Sequence, residues 1–254
     1  MKEKKDRGID YRTYRMKYYE AVMYTAFWAF FCMICSYFFY RSWIAFIVLF
    51  FLLYPFYLRY IKRILKEKRN WQITIEFKEL IRILSTNIQA GSSVENAFIN
   101  AYEEIKMSNP SSSIVKEECL QIVRGLQNNI VIEELLSSFA KRSNNQEIIE
   151  FAQVFSVAKR SGCNLKEIIA DTTDVIDLKV ETKREFRVLI ASKKLEHRIM
   201  CVIPFVIIGY ITITSPGYFD IFYNTHWGTA VMTACLISYI GALVWGEKIS
   251  EIKL

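Results

Sequence analysis

Two histidines, His197 and His226, are all this sequence offers for imidazole acid–base work. They fall on either side of a long apolar stretch, so no single site could use both. No His-Glu-x-x-His, Gly-x-x-x-x-Gly-Lys-Ser/Thr or Gly-x-Ser-x-Gly pattern accompanies them. Cys32-Met33-Ile34-Cys35 has redox or zinc spacing, but it sits inside an apolar run. Such motifs work in polar or electropositive surroundings, so the pair reads as small packing residues. Cys119, Cys163, Cys201 and Cys235 are scattered, and no disulfide is expected of them. No catalytic, metal or cofactor site is expected.

The sharpest polar constellation is Glu167, Asp171, Asp174, Asp177 and Glu181. At 100° per residue these carboxylates cover about 120° of one helix face. Such a strip could dock a basic protein surface or attract a divalent cation. It could also be a solvated face that balances the basic run after it.

The elements that must carry these residues follow from charge and hydropathy. The chain has 254 residues, 52% hydrophobic, with only 9 Gly and 4 Pro and a formal charge of +7. Charged residues are absent from 21–40, 42–58, 199–219 and 221–246. A bilayer core about 30 Å thick needs roughly 20 apolar residues as a helix, so four transmembrane helices are expected: 21–40, 42–58, 199–216 and 228–246. The first is too long for a signal-peptide core and lacks a small-x-small cleavage site, so it is expected to stay as an anchor.

Of the 33 Lys and Arg, only Arg41 falls in the outer connections. Positive charge stays on the cytoplasmic side. That places the basic segment 1–20, the middle region 59–198 and the tail 247–254 in the cytoplasm. The charge excess is thus a topology signal and an attraction for anionic lipid. No recognition helix or aromatic-and-basic platform argues for nucleic acid. Tyr37, Tyr40 and Trp43, then Tyr54, Tyr57 and Tyr60, with Tyr218, Trp227 and Trp245, mark membrane interfaces. Pro204 lies inside the third span, where neighbouring helices can accommodate it.

The middle region carries 3.6-residue patterning. Gly91, Asn129 and Gly162 each occupy a place where a left-handed residue would end a helix. Ser93 and Asn164 are placed to cap the helices that follow, and Val131 is not. Asn109-Pro110-Ser111-Ser112-Ser113 and Ser143-Asn144-Asn145 supply further breaks. Six helices are predicted, roughly at 71–89, 93–107, 113–127, 131–142, 146–160 and 164–198. Their inward stripes are Phe77, Leu80, Ile81, Leu84 and Ile88; Leu120, Val123 and Leu126 with Gln127; and Leu135, Leu136 and Phe139. The last two helices contribute Ile148, Phe151, Val154, Phe155 and Ala158, then Leu165, Ile168, Ile169, Val175 and Ile176. The sixth helix has no stop before residue 199, so it is expected to run into the third span. The fold class is all-α: a polytopic membrane protein with four transmembrane helices and a cytoplasmic six-helix bundle.

This order of parts resembles the type II secretion F-domain family, and within it the tight-adherence (Tad/Flp) pilus assembly proteins B and C. The residues that carry the resemblance are Leu80 to Phe98, Leu126 to Arg142 and Phe151 to Ile169. Leu195-Glu196-His197-Arg198, Pro204 and Ser215-Pro216-Gly217-Tyr218-Phe219 complete them. Two turns depart from the pattern: Ser161-Gly162-Cys163 stands where relatives often have two glycines, and Asn128-Asn129 where a glycine is usual. Asn tolerates the left-handed region. One bundle rather than two points to the Tad type.

The resemblance implies a non-enzymatic platform in the bacterial inner membrane, without a cofactor of its own. Its implied partners are a hexameric cytoplasmic assembly ATPase, a paralogous platform protein and pilin subunits, in a homo- or hetero-oligomer. The residues themselves leave two other readings open. One is a small transporter or channel component, weakened by the absence of charge in the spans. The other is a membrane-bound regulator or enzyme subunit with a helical sensor bundle.

Overall fold

The computed structural model describes Met16 and residues 18–108, 113–161, 164–215 and 217–250. The expected left-handed turn at Gly162 and the termini 1–15 and 251–254 lie outside the described residues. So do positions 109–112, which hold Pro110, and position 216, which holds Pro216. The described chain is helical, with elements α1 (Tyr18–Phe39), α2 (Trp43–Gln89), α3 (Val94–Ser108), α4 (Ile114–Gln127) and α5 (Ile132–Ser143). After them come α6 (Gln146–Ser161), α7 (Leu165–Thr214), α8 (Asp220–Asn224) and α9 (His226–Ser250). No strand occurs among the described residues.

Two compact units divide the chain: Arg63–Thr182, and Met16–Lys62 with the chain from Lys183 onward. In the first, one core draws on α2, α3, α4, α5, α6 and α7. Phe77, Leu80, Ile81 and Leu84 of α2 meet Ala97, Phe98 and Ala101 of α3, and Cys119 and Ile122 of α4. Phe139 of α5, Phe151 and Phe155 of α6, and Ile169 and Ile176 of α7 close it. Phe77 lies edge-on to Phe139 at 6.2 Å and to Phe151 at 5.5 Å. Each such ring contributes about 2 kcal/mol by burial.

The hairpin turns are built by backbone chemistry. Gly91 has φ +99° and Asn129 has φ +59°. Behind Asn129, the Ile130 N–H bonds the Gly125 carbonyl at 3.0 Å, and the Asn129 N–H bonds that of Leu126 at 2.9 Å. The same pair recurs at Gly91, where Ser92 reaches Asn87 and Gly91 reaches Ile88, both at 3.1 Å. These bonds satisfy orphan carbonyls at the helix ends. The Ser93 hydroxyl accepts the Asn96 N–H at 3.3 Å, capping α3. Val131 precedes α5 with no side-chain cap.

Three details differ from the sequence expectation. The first bundle helix does not begin near residue 71, because α2 is a single 47-residue helix from Trp43 with Pro55 inside it. The basic run at 59–69 holds no Gly or Pro, so nothing interrupts the helix there. Val154 and Val175 are 39% and 52% exposed rather than buried. At 100° per residue Val154 lies about 20° outside the buried arc of α6, and Val175 about 100° from that of α7. Gln127 is exposed, and besides the expected Val123 α4 buries Glu118, Cys119 and Ile122.

The second unit contains the apolar lengths of α1, α2, α7 and α9. All four helices are long and apolar enough to cross a membrane. Cys32 and Cys35 are buried in its packing. Tyr57 stacks on Trp28 at 4.5 Å and donates to the Tyr24 carbonyl at 3.2 Å. Phe205 of α7 meets Tyr239 of α9 edge-on at 5.3 Å. Pro204 brings no N–H to the helix ladder. Beside this gap, the Tyr239 hydroxyl donates to the Cys201 carbonyl at 2.9 Å, the kind of compensation a neighbouring helix supplies. Between α1 and α2, Arg41 pairs with Asp220 at 3.3 Å, and the Tyr223 hydroxyl donates to the Phe38 carbonyl at 2.6 Å.

Candidate functional site

Helix α7 lays out the acidic strip because its buried face is set by Ile169, Thr173, Ile176 and Val180. Glu167, Asp171, Asp174 and Glu181 are exposed, and Asp177 is half-buried. Asp177 borders the core face and meets Lys78 of α2, Nζ to Oδ1, at 3.6 Å. Glu167 accepts from the Asn164 amide at 3.3 Å, so Asn164 spends its NH₂ on the first turn of α7. No group of three or more His, Cys, Asp or Glu suited to a metal occurs among the described residues. The strip is therefore four outward carboxylates and one tied inward, an arrangement suited to electrostatic contact with a basic surface.

A groove of about 870 Å³ runs between α5 and α6. Glu133, Glu134, Lys141 and Arg160 line it, with Val131 and Val157 exposed along it. Lys159 sits beside it and reaches Glu133 at 3.3 Å and Glu95 at 3.7 Å, tying α6 to the first turns of α5 and α3.

Three buried polar tethers hold these surfaces in place. Glu76 of α2 accepts from the Ser113 hydroxyl at 2.7 Å and the Val115 N–H at 3.2 Å. That puts a carboxylate at the start of α4, where the helix dipole favours it. Ser113 also caps α4 by accepting the Lys116 N–H at 3.3 Å. Asn145 is 0% exposed. Its carbonyl accepts the Glu147 N–H at 3.1 Å, and its NH₂ donates to Thr74 Oγ1 at 2.7 Å and Asn70 Oδ1 at 3.1 Å. Glu118, also 0% exposed, pairs with Arg142, which in turn reaches Ser138 and Gln121. Cys119 is buried next to this pair, and burial pushes its thiol up to about 12.

Sequence reading located the strip but none of these tethers. The partners are 37, 75 and 24 positions apart, and no local pattern joins them. The only available signal was a polar residue on an otherwise apolar face, as at Glu118.

The fold thus defines an all-α membrane protein: one helical core and four helices of spanning length. The chain belongs to the family of type II secretion system protein F, whose model matches residues 80–213. That match covers α3 to α6, the last turns of α2 and nearly all of α7. Neither a curated protein nor a solved structure matches the chain.

Proposed function

We propose that this protein is a non-catalytic inner-membrane platform of the tight-adherence type. It couples a cytoplasmic assembly ATPase to the insertion of pilin subunits. The observation that carries this reading is the family match over residues 80–213, in a chain with four helices long and apolar enough to cross a membrane. Family membership supports a role in secretion or pilus assembly. A single bundle with four spans supports the Tad type within the family.

Further support is physical. The distribution of Lys and Arg favours cytoplasmic termini and a cytoplasmic middle region. The outward carboxylates Glu167, Asp171, Asp174 and Glu181 give the ATPase a complementary surface. The proposed partners are a hexameric ATPase, a paralogous platform protein, pilin subunits and anionic lipid, in a homo- or hetero-oligomer. ATP is consumed by the ATPase.

Purification from native membranes in mild detergent tests the assembly reading. Recovery of a secretion ATPase and a second platform protein with the chain is the expected result. Substrate-dependent flux through liposomes holding this protein alone would overturn it in favour of a transporter.

A further inference from the structure

A second groove, about 310 Å³, lies where α2 passes the turn between α5 and α6. Its walls carry Arg63, Lys66 and Arg69 from α2, with the carboxylate of Glu67 beside them. That carboxylate is engaged by Arg63, Nε to Oε1, at 3.2 Å. Asn144 and Asn70 complete the lining with Ser143, whose hydroxyl donates to the Ala140 carbonyl at 3.1 Å. The orientation of Asn70 is fixed from behind. Its Oδ1 accepts from the buried Asn145 amide at 3.1 Å, which leaves its NH₂ to face away from Asn145. Asn144 is held in the left-handed region at φ 50°, with its N–H on the Ala140 carbonyl at 3.2 Å. The wall opposite α2 is therefore built by a fixed turn.

We propose that this groove is a binding site for the phosphate headgroup of an anionic phospholipid. The chemistry is a delocalised oxyanion met by guanidinium forks, an ammonium and amide donors. Lipid is the favoured source because these cations belong to a run that starts at Arg59, directly after seventeen residues without a charge. That run carries the density of Lys and Arg that marks a lipid-facing segment. Ile73 supplies an apolar floor. The inference rests on the membrane reading of the apolar helices and adds a defined site to the general attraction of basic residues for lipid.

The test uses the full-length protein in neutral detergent, titrated with short-chain phosphatidylglycerol and followed by thermal unfolding. The variant Lys66→Gln/Arg69→Gln is compared with Lys62→Gln/Lys68→Gln, which removes two charges of the same run outside the groove. Circular dichroism checks that both remain folded. Each charge near a lipid surface is worth roughly a factor of five in affinity, so the groove variant is expected to bind about tenfold or more weakly. The outside variant is expected to change by no more than about threefold. Equal weakening in the two variants would overturn the site and leave only a diffuse charged collar. An equal shift by inorganic phosphate or glycerol phosphate at the same concentration would overturn the lipid source. Extraction of the protein from membranes by alkaline carbonate would instead sink the membrane reading itself, which separates the two failures.

Discussion

Lys78 of α2 and Asp177 of α7 meet at 3.6 Å, Nζ to Oδ1, with both side chains half-buried. One carboxylate of the acidic strip is thereby committed to holding α7 against α2, while its neighbours face solvent. Packing and solvent exposure divide within a single run of helix. Asp177→Asn should lower stability by about 0.5–1 kcal/mol and leave partner binding intact. Asp171→Asn/Asp174→Asn/Glu181→Gln should do the reverse. Thermal unfolding and ATPase pull-down on the same preparations check both halves.

Asn145 serves two elements at once: it caps α6 and donates to Asn70 and Thr74 of α2. Replacing it with Ala removes a cap and leaves buried partners unsatisfied. The expected loss is about 2–3 kcal/mol. Asn145→Asp should recover part of it, since a carboxylate can still cap but cannot donate. Denaturant midpoints for the two variants, with unchanged slopes, give the comparison.

How much of this was readable beforehand divides by range. Gly91 and Asn129 were legible because a left-handed φ restricts residue choice at one position. The long α7 was legible because nothing between Leu165 and Thr214 could stop it except Pro204. Lys78 with Asp177, Asn70 with Asn145 and Glu118 with Arg142 were not. Each pair is joined by packing, and sequence periodicity reports only which face is apolar. The start of α2 was misplaced for a related reason. Its residues change from an apolar to a basic to an amphipathic pattern, and a change of surroundings resembles a break in the helix.

Glu118 and Arg142 form a buried ion pair within the core. Arg142→Ala strands a carboxylate that is 0% exposed, so about 3–5 kcal/mol should be lost. The double replacement Glu118→Leu/Arg142→Met should be markedly less harmful than either single change, because no buried charge remains. A double-mutant cycle on unfolding free energies reads this directly. Simple additivity of the two singles would contradict the pair.

Cys119 should be chemically silent in the folded bundle. Burial raises its thiol from the ordinary 9.0 to about 12, so at pH 8 only ~1 molecule in 10⁴ carries the thiolate. A raised folded value favours the protonated form. Its contribution to stability is therefore whole below pH 9 and lost as pH climbs from 9 toward 12. With the other cysteines replaced by Ser or Ala, maleimide labelling should be negligible at pH 8 and complete only in denaturant. Rapid labelling of the native protein would contradict the packing around α4.

Helix α7 is proposed to present its outward carboxylates to the assembly ATPase. Photocrosslinking from position 174 in living cells tests this most directly, with position 157 in the α5–α6 groove as the comparison. The predicted result is a crosslinked species containing the ATPase from position 174, lost when Asp171 and Glu181 are neutralised. Crosslinks to the ATPase from position 157 and none from position 174 would contradict the assignment.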